Sequence, residues 1–307
     1  MTTTTQLQPV KDLHPHLPGG PNDAGVEVTP SGYRYRMVEG RVMPPHVTRE
    51  CYERSRRVAT RASDICFTSY PKSGSTWLSY IIVLLTGNQN QSLRGDIHWV
   101  ESSRTYPRTE EELRGAPDPR IFKSHMPYSM ALGGDPAKNA CRYIYIARNP
   151  KDVCVSYYHF EKGKTWSGMY EGSWEEWLEM FLRGKVQRDD WFEHVLSWWA
   201  HREDPNVLFL RYEDLKKNTA SEIQKIAGFL GVPVDQATID QIVEKVGFKE
   251  MQSSEYSSLS DIEQFKTFFR KGKAGSWKEQ FTVQQSEAFD EYFRRRVGDT
   301  GLAFDYE

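Results

Sequence analysis

The sequence predicts one α/β domain: a central parallel sheet flanked by helices, with a P-loop-like phosphate-binding loop at its edge. Three observations carry this. From Asp64 onward, short apolar runs alternate with longer helical patterns, the arrangement of strand–helix units in a parallel sheet. One junction, Thr68-Ser-Tyr-Pro-Lys-Ser-Gly-Ser-Thr-Trp77, joins an apolar run to a helical one through small hydroxyl residues, a glycine and a lysine. No internal linker rich in glycine or proline and no repeat divides the 307 residues, so a single domain is expected.

Taken in order, residues 1–32 hold a threonine run, five prolines and four glycines with little apolar patterning. They read as a mobile leader, with the domain spanning 33–307. A transit peptide fits poorly, because Lys11 is the only basic residue before Arg34 while Asp12 and Asp23 are acidic. Strands are expected over 65–69, 120–124, 142–147 and 207–211, each a short apolar run. Helices are expected over 76–86, 151–161, 173–183, 191–202, 219–230, 235–246 and 283–297. Pro150 suits a first helical turn. Ser173-Trp-Glu-Glu176 fits a capping box, and Gly231 fits a helix stop.

The formal net charge of −2 supplies no global basic field, which argues against nucleic acid and makes any anion site local. Cys51, Cys66, Cys141 and Cys154 form no C-x-x-C pair. Reduced, buried thiols in a reducing, cytoplasmic compartment are expected. The apolar run around residues 81–85 is far too short to span a bilayer, and no apolar segment of signal-peptide type opens the chain.

Four groups of residues could carry chemistry. The first is Lys72, Ser73, Gly74, Ser75, Thr76 and Trp77: backbone N–H groups at a helix start, three hydroxyls and a cation suit a phosphate. Lys72 precedes Gly74, whereas G-x-x-x-x-G-K-[ST] puts Lys directly after Gly. A capped helix start with an exposed lysine is the plain alternative. The second group is Arg148, at a strand end, with Ser156 two turns into the next helix; a guanidinium fork and a hydroxyl can hold a terminal phosphate. The alternative is an Arg148–Asp152 strand–helix latch. The third is the glycine-rich basic stretch 269–282, either a loop that closes on an anion or a solvated surface. The fourth is His125, at a strand end with Lys123 on the same strand face; a neutral imidazole there can take a proton near pH 7. Lys72, His125 and Arg148 all follow strands, which brings them to the carboxyl edge where α/β sheets bind ligands.

Together these groups resemble the cytosolic sulfotransferase family. Tyr70-Pro-Lys-Ser-Gly-Ser-Thr-Trp77 is similar to its 5′-phosphosulfate loop, with Ser75 where Thr is usual. Residues 148–156 resemble its 3′-phosphate element, Lys123-Ser-His125 its K-[ST]-H, and Tyr212-Glu-Asp214 its Y-E-D. Arg270-Lys-Gly272 and Gly275-Ser-Trp-Lys278 resemble R-K-G-x-x-G-D-W-K, with Ser276 where Asp is usual. Val246-Gly-Phe-Lys-Glu-Met251 resembles T-S-F-K-E-M, without the hydroxyls at Val246 and Gly247.

The resemblance implies an enzyme that transfers a sulfuryl group from 3′-phosphoadenosine 5′-phosphosulfate (PAPS), leaving 3′,5′-adenosine bisphosphate (PAP), without a metal. It implies that Lys72, Ser73, Gly74, Ser75 and Thr76 hold the 5′-phosphosulfate and that Trp77, Tyr212, Phe248 and Met251 lie against adenine. Arg148, Ser156, Arg270, Lys271 and Gly272 would grip the 3′-phosphate. His125 would be the base, with Lys72 and Lys123 meeting transition-state charge. Trp99, Glu101, Ser102, Lys123, His125, Phe160 and the loop near 251–269 would line the acceptor site. Their aromatic character suits a phenol, sterol, amine or alkaloid. Lys278, Thr282-Val283 and Glu287 match the family's dimer signature, which implies a homodimer. Two rivals are a P-loop phosphotransferase, which would prefer ATP–Mg²⁺ to PAP, and a non-catalytic nucleotide-binding relative, which the intact Lys72, Lys123 and His125 oppose. A Golgi-type carbohydrate sulfotransferase is opposed by the missing anchor and the few cysteines.

Overall fold

The computed structural model describes residues 24–88, 95–103, 109–163, 170–254 and 271–307. The first strands are β1 (Val26–Val28), β2 (Arg34–Val38) and β3 (Arg41–Met43), an antiparallel sheet in the order β1-β2-β3. Glu39 and Gly40, both at positive φ, make the tight turn between β2 and β3. β1 falls inside the stretch read above as leader. Its Val-Glu-Val alternation is too short to register as a strand until Arg34–Arg36 pair with it. Helix α1 (Arg49–Arg56) follows, capped by Thr48.

The second sheet forms from the predicted apolar runs. Along the chain come β4 (Ile65–Thr68), α2 (Ser75–Thr86), α3 (Glu110–Gly115), β5 (Ile121–Ser124), β6 (Arg142–Ala147) and α4 (Pro150–Lys162). Next are α5 (Trp174–Leu182), α6 (Trp191–Trp199), β7 (Val207–Arg211), α7 (Tyr212–Lys217), α8 (Thr219–Leu230), α9 (Gln236–Lys245), α10 (Phe248–Ser253) and α11 (Val283–Val297). The strand order is β5-β4-β6-β7, and every neighbouring pair is parallel. The chain leaves β4 for β5 on one side and returns to β6 on the other, so the order reverses at β4. Ligands of open α/β sheets bind at such a reversal, beyond the carboxyl ends of the strands.

Two apolar layers cover the sheet. Ile81, Ile82 and Val83 of α2 pack with Ile223 and Ile226 of α8 on one side, all essentially inaccessible to solvent. Aromatic residues dominate the other side, with Tyr145, Tyr157, Trp177, Trp191 and Trp198 in one cluster. Burying a large apolar side chain contributes roughly 1.5–3 kcal/mol, so these layers hold the strand ends rigid. α6 stops at Trp199, short of the predicted 202, where the chain turns toward β7. Among the described residues no helix is long and apolar enough to cross a membrane.

Candidate functional site

The loop after β4 is shaped by two left-handed residues. Lys72 sits at φ 70° and Gly74 at φ 101°. A Cβ on Gly74 would meet Tyr212 Cδ2 at 2.8 Å, so only glycine lets the loop pass the Tyr212 ring. Gly74 is the N-cap of α2, and no side chain caps that helix start. Ser73 Oγ and Trp77 Nε1 are buried without a hydrogen-bond partner among the described residues. Ser75 is buried and Thr76 half-buried in the first turn. Helix-start amides together with orphaned polar atoms make a cradle for an anion. The exposed-lysine alternative does not hold: Lys72 is half-buried, with its ammonium 4.3 Å from the Phe160 ring centre.

At the end of β6, Arg148 is buried to 8% exposure. Its guanidinium donates to Lys72 O at 3.3 Å and to Lys273 O at 3.0 Å, lies 4.5 Å over the Tyr212 ring and pairs with Asp152 at 3.3 Å. The latch is therefore real, yet Arg148 Nε remains buried without a partner among the described residues. The latch and a phosphate contact are compatible. Asn149 caps α4 through Asp152 N. Ser156 is half-buried, two turns into that helix.

Asp152 ties the basic stretch to α4. Its carboxylate accepts from Gly275 N at 2.9 Å, Ser276 Oγ at 3.0 Å and Trp277 N at 2.9 Å. Ser276, where the resembled motif has Asp, donates a hydroxyl to this carboxylate. The stretch is thus anchored beside Arg148, which the solvated-surface alternative does not explain. Gly272 sits at φ 61°, and a Cβ there would lie 2.1 Å from Phe248 Cδ2. Lys271 pairs with Glu279. Arg270, like the acceptor loop over 255–269 and the first 23 residues, lies outside the described residues. Trp77 and Tyr212 meet edge to face at 5.5 Å. Met251 is buried in the α2–α8 layer, and Val246 joins it there, an apolar place for the residue that lacks the hydroxyl. Gly247 caps α10.

His125 follows β5 directly. Its Nδ1 lies 2.8 Å from Ser69 O. A carbonyl only accepts, so Nδ1 carries the proton and Nε2 keeps the lone pair. Burial, then the cations Lys123 and Arg188, hold its pKa well below the ordinary histidine value, which keeps the ring neutral with a lone pair on Nε2. Trp99 meets His125 edge to face at 6.0 Å, and the Lys123 ammonium lies 4.4 Å from the Trp99 ring centre. Lys72 on Phe160 and Lys123 on Trp99 are cation–π contacts that bring four of the expected residues together.

Glu101 behaves differently from expectation. It is 2% exposed, and its carboxylate is taken up by His125 N, Ser124 Oγ, Trp99 Nε1 and Arg188. A carboxylate with four donors is consumed in holding the strand end, not turned to an acceptor. Ser102, expected beside it, is fully buried. Sequence reasoning missed Arg188 and His194, and gave Asp152 only its latch to Arg148, not its hold on residues 275–277.

Residues 62–301 match the sulfotransferase domain family. The chain belongs to the sulfotransferase family. This sulfotransferase is 40% identical to mouse sulfotransferase 1B1 over 267 residues, covering 82% of this chain and 89% of that protein. It is 33% identical to human sulfotransferase 1C2, covering 88% and 95%. Among solved structures, mouse sulfotransferase SULT7A1 complexed with PAP superimposes with a TM-score of 0.74 at 31% identity, covering 86% of this chain and 94% of that one. The sulfotransferase is a PAPS-dependent enzyme with a small-molecule acceptor. The residues present fit such a donor: an uncapped helix start, the orphaned Ser73 Oγ, Trp77 Nε1 and Arg148 Nε, and a glycine cradle that a Cβ would fill.

Proposed function

We propose that the sulfotransferase works with His125 as general base and with the loop after β4 and the end of β6 gripping opposite ends of the donor. Bound PAPS supplies the sulfuryl group, and PAP departs. The amides and hydroxyls of Ser73, Gly74, Ser75 and Thr76 hold the 5′ end, with Lys72 beside them. Arg148, Ser156, Arg270, Lys271 and Gly272 hold the 3′-phosphate, and Trp77, Tyr212, Phe248 and Met251 flank the adenine. His125 Nε2 takes the proton of the acceptor hydroxyl or amine. Lys72 and Lys123 offset negative charge as it spreads over the transferring group. Trp99 and Phe160 give the acceptor an aromatic surface, which favours a phenol, sterol, amine or alkaloid.

One observation carries the reading. The His125 imidazole is hydrogen-bonded to Ser69, the first residue of the donor loop, so base and donor cradle are a single rigid unit. His125→Ala is expected to lower turnover by ~10²–10⁴-fold while PAP binding, followed by calorimetry, stays intact. Near-full activity in that variant would remove His125 as the base.

We also read the chain as a cytoplasmic homodimer. Its four cysteines are unpaired and buried, which suits a reducing compartment. Val283, at the start of α11 after the capping residue Thr282, is 75% exposed, the most exposed large hydrophobic among the described residues. A dimer through 278–287 would cover it. Light scattering at micromolar concentration is expected to give the dimer mass; a monomer there ends this part of the reading.

A further inference from the structure

His125 is held through its own peptide. Its N–H donates to Glu101 Oε1 at 2.9 Å. Its carbonyl accepts from His194 Nε2 at 3.2 Å, with Arg188 Nη1 at 3.5 Å. His194 Nε2 must therefore carry its proton, which leaves Nδ1 to accept from Tyr145 OH at 2.8 Å. Burial pushes the His194 pKa down to about 3, so this ring stays neutral.

Glu101 and Arg188 close the arrangement. Their ion pair is 2.9 Å long and both side chains are 2% exposed. Glu101 Oε1 also accepts from Trp99 Nε1 at 3.2 Å, and Oε2 accepts from Ser124 Oγ at 2.7 Å. A buried ion pair is a poor source of stability, because desolvation offsets the attraction. The backbone that delivers it is strained as well. Arg188 and Asp189 are consecutive non-glycine residues at φ 74° and 66°, a conformation that persists where the surroundings impose it and that clusters at functional sites. Here Val42 O takes Arg188 N at 2.7 Å, Tyr70 OH donates to Asp189 O at 2.9 Å, and Arg41 pairs with the Asp189 side chain at 2.7 Å. Three contacts, two from β3 and one from the loop after β4, thus hold a left-handed turn whose result is one guanidinium behind the His125 strand end.

We propose that Glu101 and Arg188 are a positioning pair for sulfuryl transfer: they lock the peptide on both sides of His125, and so aim its imidazole, without touching the acceptor. This rests on His125 being the base. Both residues act through His125, so their loss costs catalysis and not binding.

The test is a double-mutant cycle of Glu101→Gln with His125→Ala, assayed with PAPS and 4-nitrophenol, with PAP binding measured by calorimetry. Glu101→Gln keeps the shape but replaces one acceptor oxygen by an amide donor. It is expected to lower kcat about 10- to 100-fold, the scale of a small misplacement of a catalytic group. The KM for 4-nitrophenol is expected to stay within about threefold, as for loss of an interaction made only in the transition state. In the His125→Ala background the same change should alter the residual rate less than about twofold, because the two act as one unit. Arg188→Met should reproduce the kcat loss, and Arg188→Lys should recover part of it. An unchanged kcat overturns the proposal, as does a raised KM with kcat intact, which would place Glu101 on the acceptor. If His125→Ala itself keeps full activity, the base assignment has failed, and the cycle shows that separately. Should Glu101→Gln lose PAP binding, Ser124→Ala leaves the carboxylate in place and removes the bond to Oε2, together with the Met126 N–H bond to the same hydroxyl; retained PAP affinity with a severalfold lower kcat supports the pair, and full activity overturns it.

Discussion

The helices that leave β4 and β6 begin in opposite ways. α2 starts on Gly74 with no capping side chain, and Ser73 Oγ beside it has no partner among the described residues. α4 starts on Asn149, which caps it, with Pro150 in the first turn and Asp152 drawing four further donors from Asn149 and residues 275–277. Elsewhere α1, α3, α5, α6, α9 and α11 are each capped by Thr, Ser or Asp. α7, α8 and α10 also start without a capping side chain; what sets the start of α2 apart is the buried, unsatisfied Ser73 Oγ beside it. On the proposed reading one helix start is left for a ligand to complete; the other is completed by the protein and lends Arg148 and Ser156 to the site.

This contrast can be broken from either side. Gly74→Ala should have the largest effect: with φ 101° and Tyr212 2.8 Å away, the loop must shift, and PAP affinity is expected to fall roughly 100-fold, the worth of one or two charge-assisted hydrogen bonds. Calorimetry that finds PAP affinity unchanged would contradict the cradle. The α4 end should instead reveal itself in stability. Glu213 accepts from Asn149 N at 2.9 Å, and burial raises its pKa to about 7. A carboxyl raised on folding contributes stability that is fully present below its unfolded pKa and is lost as pH rises through 7. Glu213→Gln should therefore become more stable relative to the parent between pH 5 and 8, by at most about 1.4 kcal/mol per unit; a difference constant with pH would refute the assignment. Asn149→Ala is the smallest case. It should cost about 1–2 kcal/mol of unfolding free energy, as loss of a cap does, with PAP affinity within about threefold; a large loss of PAP binding would erase the distinction between the two ends.

The same contrast explains what could be read in advance. The four parallel strands and α2, α4, α8 and α11 were legible because each is a contiguous apolar or periodic run bounded by Pro, Gly or a capping residue. The donor loop was legible because its chemistry is local: a cradle needs neighbours in sequence. β1–β3 were not, since β1 and β3 are only three residues long and the pairing of β2 with β3 depends on a tight turn at Glu39-Gly40. The family resemblance places Glu101 at the acceptor; only the fold reveals that Ser124, His125 and Arg188 occupy it. Arg188 and His194 are more than 60 residues from His125 in sequence, and no local pattern distinguishes a buried, paired arginine from an exposed one.

On the proposed reading, nucleotide docked at the bare amides heading α2 is a structural member as well as a reactant. What docks there binds the folded chain, so the folded population rises with its concentration, by about 2.7 kcal/mol at a hundredfold excess over Kd. The melting temperature of this protein is therefore expected to rise with its adenosine bisphosphate supply.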